Sequence, residues 1–169
     1  MQNEFTEPGI LETDAVLVRN LRESDLEAVV ALDGVVSGRR RPRYFELMLE
    51  RALKQSSLQI SLVAELEDTV AGFLLGSLYY GEFGIAEPTA SIEAIAVHPR
   101  FQRRHVGRAL MRQLRQNLGA LHIASVRTEV DWDDFDLLAF LQGEGFVPAR
   151  RICLECPIDP TTPSKEETE

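Results

Sequence analysis

Strand-like and helix-like segments alternate along the chain, and that alternation predicts an α/β fold. Size and composition agree with it. The 169 residues fit one ordinary domain, and 44% hydrophobic with 27% charged residues describes a globular chain rather than a disordered or fibrous one.

Asp14 to Leu21 alternates enough for a strand, and Ser24-Asp25 then offers an N-cap for a helix carrying Leu26, Val29 and Val30. After the turn residues Gly34, Ser37, Gly38 and Pro42, the segment Tyr44 to Leu53 places Phe45, Met48, Leu49 and Leu53 at helical spacing. Ser57 to Leu66 and Val70 to Tyr80 read as a hairpin around the polar turn Glu67-Asp68-Thr69, with Gly72 and Gly76 as candidate bulges. Ala90 to Val97 is apolar apart from Glu93, the pattern of a central strand. Val106, Leu110, Leu114 and Leu118 define the clearest amphipathic helix, which Gly119 is expected to stop. Ile123 to Val130 predicts another strand, Asp133 or Asp134 caps a helix through Gln142, and Phe146 to Pro157 predicts terminal strand structure. The expected layout is a flexible segment over 1–13, a domain over 14–158 and a disordered acidic tail over 159–169.

Charge and composition exclude several function classes. Lys+Arg 18 against Asp+Glu 27 leaves a formal charge of -9, the wrong sign for a broad polyanion-binding surface, so no nucleic-acid partner is expected. No uncharged apolar run approaches the ~18 residues of a bilayer span, so no membrane partner is expected either. Met1 to Asp14 carries Glu4, Glu7 and Glu12 without an apolar h-region, which predicts a cytoplasmic rather than a secreted chain. Cys153 and Cys156 have no second pair or histidine cluster to complete a zinc site, and they read as reduced thiols with no metal site expected.

Chemistry concentrates where the Ala90 to Val97 strand feeds the strong helix. Gln102, Arg103, Arg104 and His105 crowd the helix end that carries the positive half of the macrodipole, where cations are unfavourable unless an anion shares the place. Gly107 inside the helix suggests close approach of a ligand to the backbone, and Ala109 is likewise small. The alternative is a solvated basic helix start with a tolerated glycine. Neither G-x-x-x-x-G-K-[ST] nor G-x-G-x-x-G occurs, so the common nucleotide fingerprints are unsupported.

The segment IEAIAVHPRFQRRHVGRAL, Ile92 to Leu110, resembles the acetyl-CoA-binding core of the GCN5-related N-acetyltransferases, whose Q/R-x-x-G-x-G/A signature is met by Arg104, Gly107 and Ala109. Val126 to Val130 and Leu137 to Phe146 resemble the family's next strand and helix, and the close match spans Ser91 to Phe146. The resemblance implies a mixed, mostly antiparallel sheet with helices on both faces and a splayed central strand pair. It also implies N-acetyl transfer from acetyl-CoA, with coenzyme A as product, to a primary amine on a protein or small molecule, through a ternary complex. Backbone amides of Gln102, Arg103, Arg104, His105, Val106, Gly107, Arg108 and Ala109 would wrap the pyrophosphate, and Ile95, Ala96 and Val97 would pair with the pantetheine arm. The Val97 N–H would polarise the thioester carbonyl.

Amine attack needs a base, and Glu93 is the candidate; its alternative is a carboxylate that emerges at the sheet surface or pairs with an arginine. Leu141 stands where family members often carry a tyrosine that protonates the leaving thiolate, and Tyr79 and Tyr80 are possible substitutes. Asp131, Asp133, Asp134 and Asp136 around Trp132 read as capping or as an acidic rim for a cationic acceptor, with Trp132 as an apolar wall. Arg41, in the run Arg39 to Arg43, would instead favour an acidic acceptor. Asp131, Trp132, Tyr79 and Arg41 are therefore the acceptor-side candidates, on a monomer or homodimer. The rival reading is a non-catalytic acyl-CoA-binding regulatory module, for which Leu141 is the best sign.

Overall fold

The computed structural model describes residues 16–54, 60–81, 84 and 86–158. The segments expected to be flexible, 1–13 and 159–169, lie outside the described residues. The elements run β1 (Leu17–Asn20), α1 (Leu26–Ser37), α2 (Pro42–Lys54), β2 (Leu62–Leu66), β3 (Thr69–Tyr79), β4 (Thr89–Val97), α3 (Val106–Ala120), β5 (Val126–Thr128) and α4 (Phe135–Gly143). The five strands form one sheet in chain order, antiparallel except for the parallel pair β4 and β5. The expected mixed, mostly antiparallel α/β architecture is present.

The sheet separates two apolar layers. On one face Leu62, Leu74 and Ile92 pack with Val106, Leu110, Met111 and Leu114 of α3. On the other, Val63, Phe73 and Leu75 pack with Val29, Val30 and Leu32 of α1 and with Phe45 and Leu49 of α2. Alternation along each strand sends neighbouring residues to opposite layers, so β3 feeds both with Phe73 and Leu74.

Register is broken at two places that shape the site. Ala64 faces Gly72 while Glu65 faces Val70, leaving Ala71 extra on β3; Leu75 faces Ala94 while Gly76 faces Ile92, leaving Glu93 extra on β4. The two glycines expected at bulges flank them because space is short. A Cβ at Gly76 would lie 2.8 Å from the Ile60 carbonyl oxygen, and one at Gly72 would lie 2.9 Å from a Val106 methyl. Where β2 has not yet begun, the buried Ser61 hydroxyl donates to the Gly76 carbonyl and accepts the Gly76 N–H, both at 3.2 Å, in place of a ladder partner.

Several boundaries differ from the sequence expectations. The α1 region opens through a 3-10 turn at Glu23–Asp25, and the Asp25 carboxylate accepts the Arg22 N–H at 2.8 Å and two bonds from Arg19 instead of capping the following helix. Gly119 does not stop α3, which runs on to Ala120; His122 takes the left-handed conformation (φ 56) and the Ile123 N–H reaches back to the Leu118 carbonyl. Strand β5 is only three residues long. The terminal strand expected over Phe146 to Pro157 is not formed: residues 147–158 carry no regular secondary structure, and Val147, Ile152, Leu154 and Ile158 are exposed. Alternating apolar residues make a strand only where a neighbouring ladder receives them, and β5 offers only a short edge.

Candidate active site

The start of α3 is shaped by the turn between β4 and α3. The His98 N–H donates to the Ala71 carbonyl at 2.8 Å, Pro99–Phe101 form a 3-10 turn, and the buried Phe101 ring anchors that turn in the α3 layer. Arg103 and His105 then adopt left-handed backbone (φ 60 and 62). The first helical bond of α3 runs from the Ala109 N–H to the His105 carbonyl at 2.9 Å. The amides of Val106, Gly107 and Arg108 therefore lack an intrahelical acceptor at the end that carries the positive half of the helix dipole.

Gly107 has a structural reason that spacing alone did not reveal. A Cβ there would lie 3.0 Å from the ring of Phe140, so the glycine lets α4 approach α3 as well as keeping the helix start open. Arg104 also differs from expectation in its side chain. Its guanidinium is engaged within the chain, donating to Glu67 at 2.7 Å on the β2–β3 turn. Its N–H is also taken, donating to the Phe101 carbonyl at 3.4 Å, as the Gln102 N–H donates to Pro99 and the Ala109 N–H to His105, so three of the eight amides expected to wrap a pyrophosphate already have acceptors within the chain.

Beside this end the sheet opens. β4 and β5 pair only over Ala90–Val126, Ser91–Arg127 and Ile92–Thr128, and the Thr128 hydroxyl closes the seam by donating to the Ile92 carbonyl at 2.9 Å. β4 continues for a further five residues, Glu93 to Val97, with no strand partner on that side among the described residues. The expected splay between these two strands is thus built into the register.

A cavity of about 250 Å³ occupies the point of separation, lined by Tyr79, Ser91, Ile92, Glu93, Arg127, Thr128 and Glu129. Glu93 is half-buried there and is the extra residue of the β4 bulge. The bulge flips the strand's alternation: Ile92 packs in the α3 layer, whereas Ala94 packs in the α1–α2 layer. The Tyr79 hydroxyl donates to Glu93 Oε1 at 3.0 Å, and the Arg127 guanidinium lies 5.2 Å from the centroid of the Tyr79 ring. Burial first, and then the nearby Glu93 charge, push the Tyr44 phenol above its ordinary range, so that it stays protonated beside the carboxylate.

The remaining acceptor-side candidates are not gathered here. Arg41 is held by Asp33, with Nη2 at 2.6 Å from Oδ1 and Nε at 3.1 Å from Oδ2, and lies over the Tyr44 and Phe45 rings. Hydrogen bonding to the buried Asp33 raises the Arg41 pKa and fixes the α1–α2 connection. Trp132, 81% exposed, and Asp131 do not line the cavity. Asp134 caps α4 by accepting the Leu137 N–H at 3.1 Å, and Leu141 is buried core. Sequence reasoning missed Arg127 and Glu129. Their signal was present as two charges in an otherwise strand-like run, but only the seam with β4 gives it meaning.

An opened sheet beside a helix N-terminus with free amides is an arrangement that α/β proteins in general use to hold anionic ligands at the strand ends. The family is specific: residues 19–146 match the model of the Acetyltransferase (GNAT) family, and the chain belongs to it. A search of curated proteins returns no match. Among solved structures, the chain is similar to Ard1 from Thermoplasma volcanium at 28% identity, covering 79% of this chain and 83% of that one with a TM-score of 0.66. It is similar in fold to an aminoglycoside acetyltransferase from an uncultured soil metagenomic sample, at 18% identity, 86% and 98% coverage and a TM-score of 0.67. Aminoglycoside N-acetyltransferase AAC(6')-Iy in complex with CoA gives 18% identity, 84% and 94% coverage and a TM-score of 0.67. Family membership supports an acyl-CoA-dependent acetyltransferase.

Proposed function

We propose that the protein transfers an acetyl group from acetyl-CoA to a primary amine by direct attack in a ternary complex. The observation that carries this reading is the β4 bulge, which sets Glu93 in the cavity where β4 parts from β5, on the strand that leads to the amides that open α3. The free amides of Val106, Gly107 and Arg108 suit a pyrophosphate, and the unpaired edge of Glu93 to Val97 suits the amide-bearing pantetheine arm. When bound, acetyl-CoA supplies an activated acyl group as a thioester.

The chain's own residues supply the rest. Glu93 takes the proton that an ammonium must lose before its nitrogen can attack, and the Tyr79 hydroxyl holds that carboxylate in place. The Val97 N–H donates to the acyl oxygen as negative charge develops on it. Nothing at the position of Leu141 can donate a proton, so the leaving thiolate is protonated by solvent or by a hydroxyl in the cavity. The acceptor is an amine, on a protein or a small molecule. The aminoglycoside acetyltransferases among the similar folds favour a cationic one.

Calorimetric titration with acetyl-CoA followed by a screen of amines tests the proposal. Micromolar binding is expected, and Glu93→Gln should lower acetyl transfer by about 100-fold or more while leaving coenzyme binding intact. Absence of binding by the wild type would end the acetyltransferase reading. The buried Leu141 favours one rival, a non-catalytic acyl-CoA-binding module. Binding without turnover on any amine would select it.

A further inference from the structure

The β2–β3 turn reaches across to the loop that opens α3. Its two central residues, Glu67 and Asp68, both hold left-handed backbone (φ 54 and 56), a conformation for which such two-residue turns normally recruit Asn-Gly or Gly-Gly. The strain is kept at a turn whose first side chain makes a specific contact. Glu67 Oε1 accepts from Arg104 Nη1 at 2.7 Å and Oε2 from Arg100 Nη2 at 3.1 Å, so one carboxylate joins two guanidinium groups. Both guanidinium carbons lie over the ring of Phe101, at 5.3 Å for Arg100 and 5.6 Å for Arg104. Phe101 is buried, and the His98 N–H is already fixed to Ala71.

The segment that presents the free amides is therefore pinned before its left-handed residues by Phe101 and His98, and between them by Arg104. Of the three, only the Arg104 pin is a side-chain ion pair, made by Glu67 on the β2–β3 turn. An isolated exposed ion pair contributes little, but a shared carboxylate between two guanidinium groups stacked on one buried ring is a network with fixed geometry.

We propose that Glu67 is a positioning residue for the coenzyme-phosphate loop: by gripping Arg104 together with Arg100, it holds the left-handed backbone at Arg103 and His105 that exposes the amides of Val106 to Arg108. The proposal rests on the reading of this helix end as the coenzyme site. It extends that reading to a residue that does not itself touch the ligand. Pre-ordering matters because a loop that is binding-competent for only a fraction of the time lowers the apparent affinity by that fraction.

The test exploits two effects of opposite sign. Coenzyme A is a polyanion, so if Glu67 acted only through its charge, removing that charge would tighten binding. Positioning predicts the reverse. Calorimetric titration with coenzyme A should show about three- to tenfold weaker binding for Glu67→Ala, with Glu67→Gln between it and the wild type because one acceptor oxygen remains. In an Arg104→Ala background the Glu67→Ala effect should disappear, while the urea midpoint of each Glu67 variant stays near wild type. Equal or tighter binding by Glu67→Ala overturns the proposal, as does an undiminished effect in the Arg104→Ala background. If the wild type binds no coenzyme A, the coenzyme reading itself falls and takes this inference with it.

Discussion

Glu93 shows how a single residue's role is set by backbone register. In the sequence it is one charge in an apolar strand; in the structure it is the extra residue of a bulge, hydrogen-bonded by Tyr79 at the mouth of a cavity. Gly76 marks the same bulge from the other strand, and its substitution tests how tightly the region is built. Gly76→Ala places a methyl group 2.8 Å from the Ile60 carbonyl and should destabilise the fold by about 1–3 kcal/mol in urea unfolding. Asp25 gives a pH-dependent test. Burial works to raise its pKa, but hydrogen bonds from Arg19 and the Arg22 amide prevail and hold the folded carboxyl below its ordinary range. The unfolded chain therefore binds the proton more readily. The resulting stabilisation is complete above the ordinary aspartate range and is lost as pH falls through the folded value. Unfolding midpoints followed from about pH 6 to about pH 3 should drop less steeply for Asp25→Asn than for the wild type, after the variant's lower starting stability is allowed for.

At the scale of elements, the helices were the most legible. The four-residue spacing from Val106 to Leu118 places α3 correctly because one buried stripe against a sheet requires that period. Its C-terminus was misjudged, since the backbone reverses at His122, whose side chain gave no glycine-like signal. α4 was legible from its cap. Asp134→Ala should cost about 1 kcal/mol in thermal or urea unfolding, and Asp133→Ala, which carries no cap bond, much less. Strand β5 was read too long and the terminal strand was read where none forms. In both cases the local alternation is real, but a strand's extent is decided by the partner that completes its hydrogen bonds, and a sequence does not display its partner.

Over the whole molecule, one sheet serves two apolar layers, and β3 joins them residue by residue. Phe73→Ala empties the α1–α2 layer and Leu74→Ala the α3 layer. Each should destabilise by about 2–5 kcal/mol, and calorimetry should show one unfolding transition for both variants because the layers share a strand. The same architecture explains the site. The α3 layer carries the helix start with its free amides, the α1–α2 layer carries Tyr44 near Glu93, and the seam between β4 and β5 lies in the sheet that separates them. Among the described residues no helix is long and apolar enough to cross a membrane.

The sequence by itself determined the α/β class, the order of the elements from β1 to α4, and the basic helix start that follows the one acid-bearing apolar strand. These are legible because periodicity, capping chemistry and a charge at a helix end act over a few neighbouring residues. Tertiary structure alone decided that Glu93 is a bulge residue facing Tyr79, that Arg127 and Glu129 line the same cavity, and that Arg41 is held by Asp33 rather than free for an acceptor. It also decided that Glu67 reaches Arg104 across 37 positions of sequence. Pairings of this kind depend on which strands meet and in what register, and those are properties of the assembled sheet.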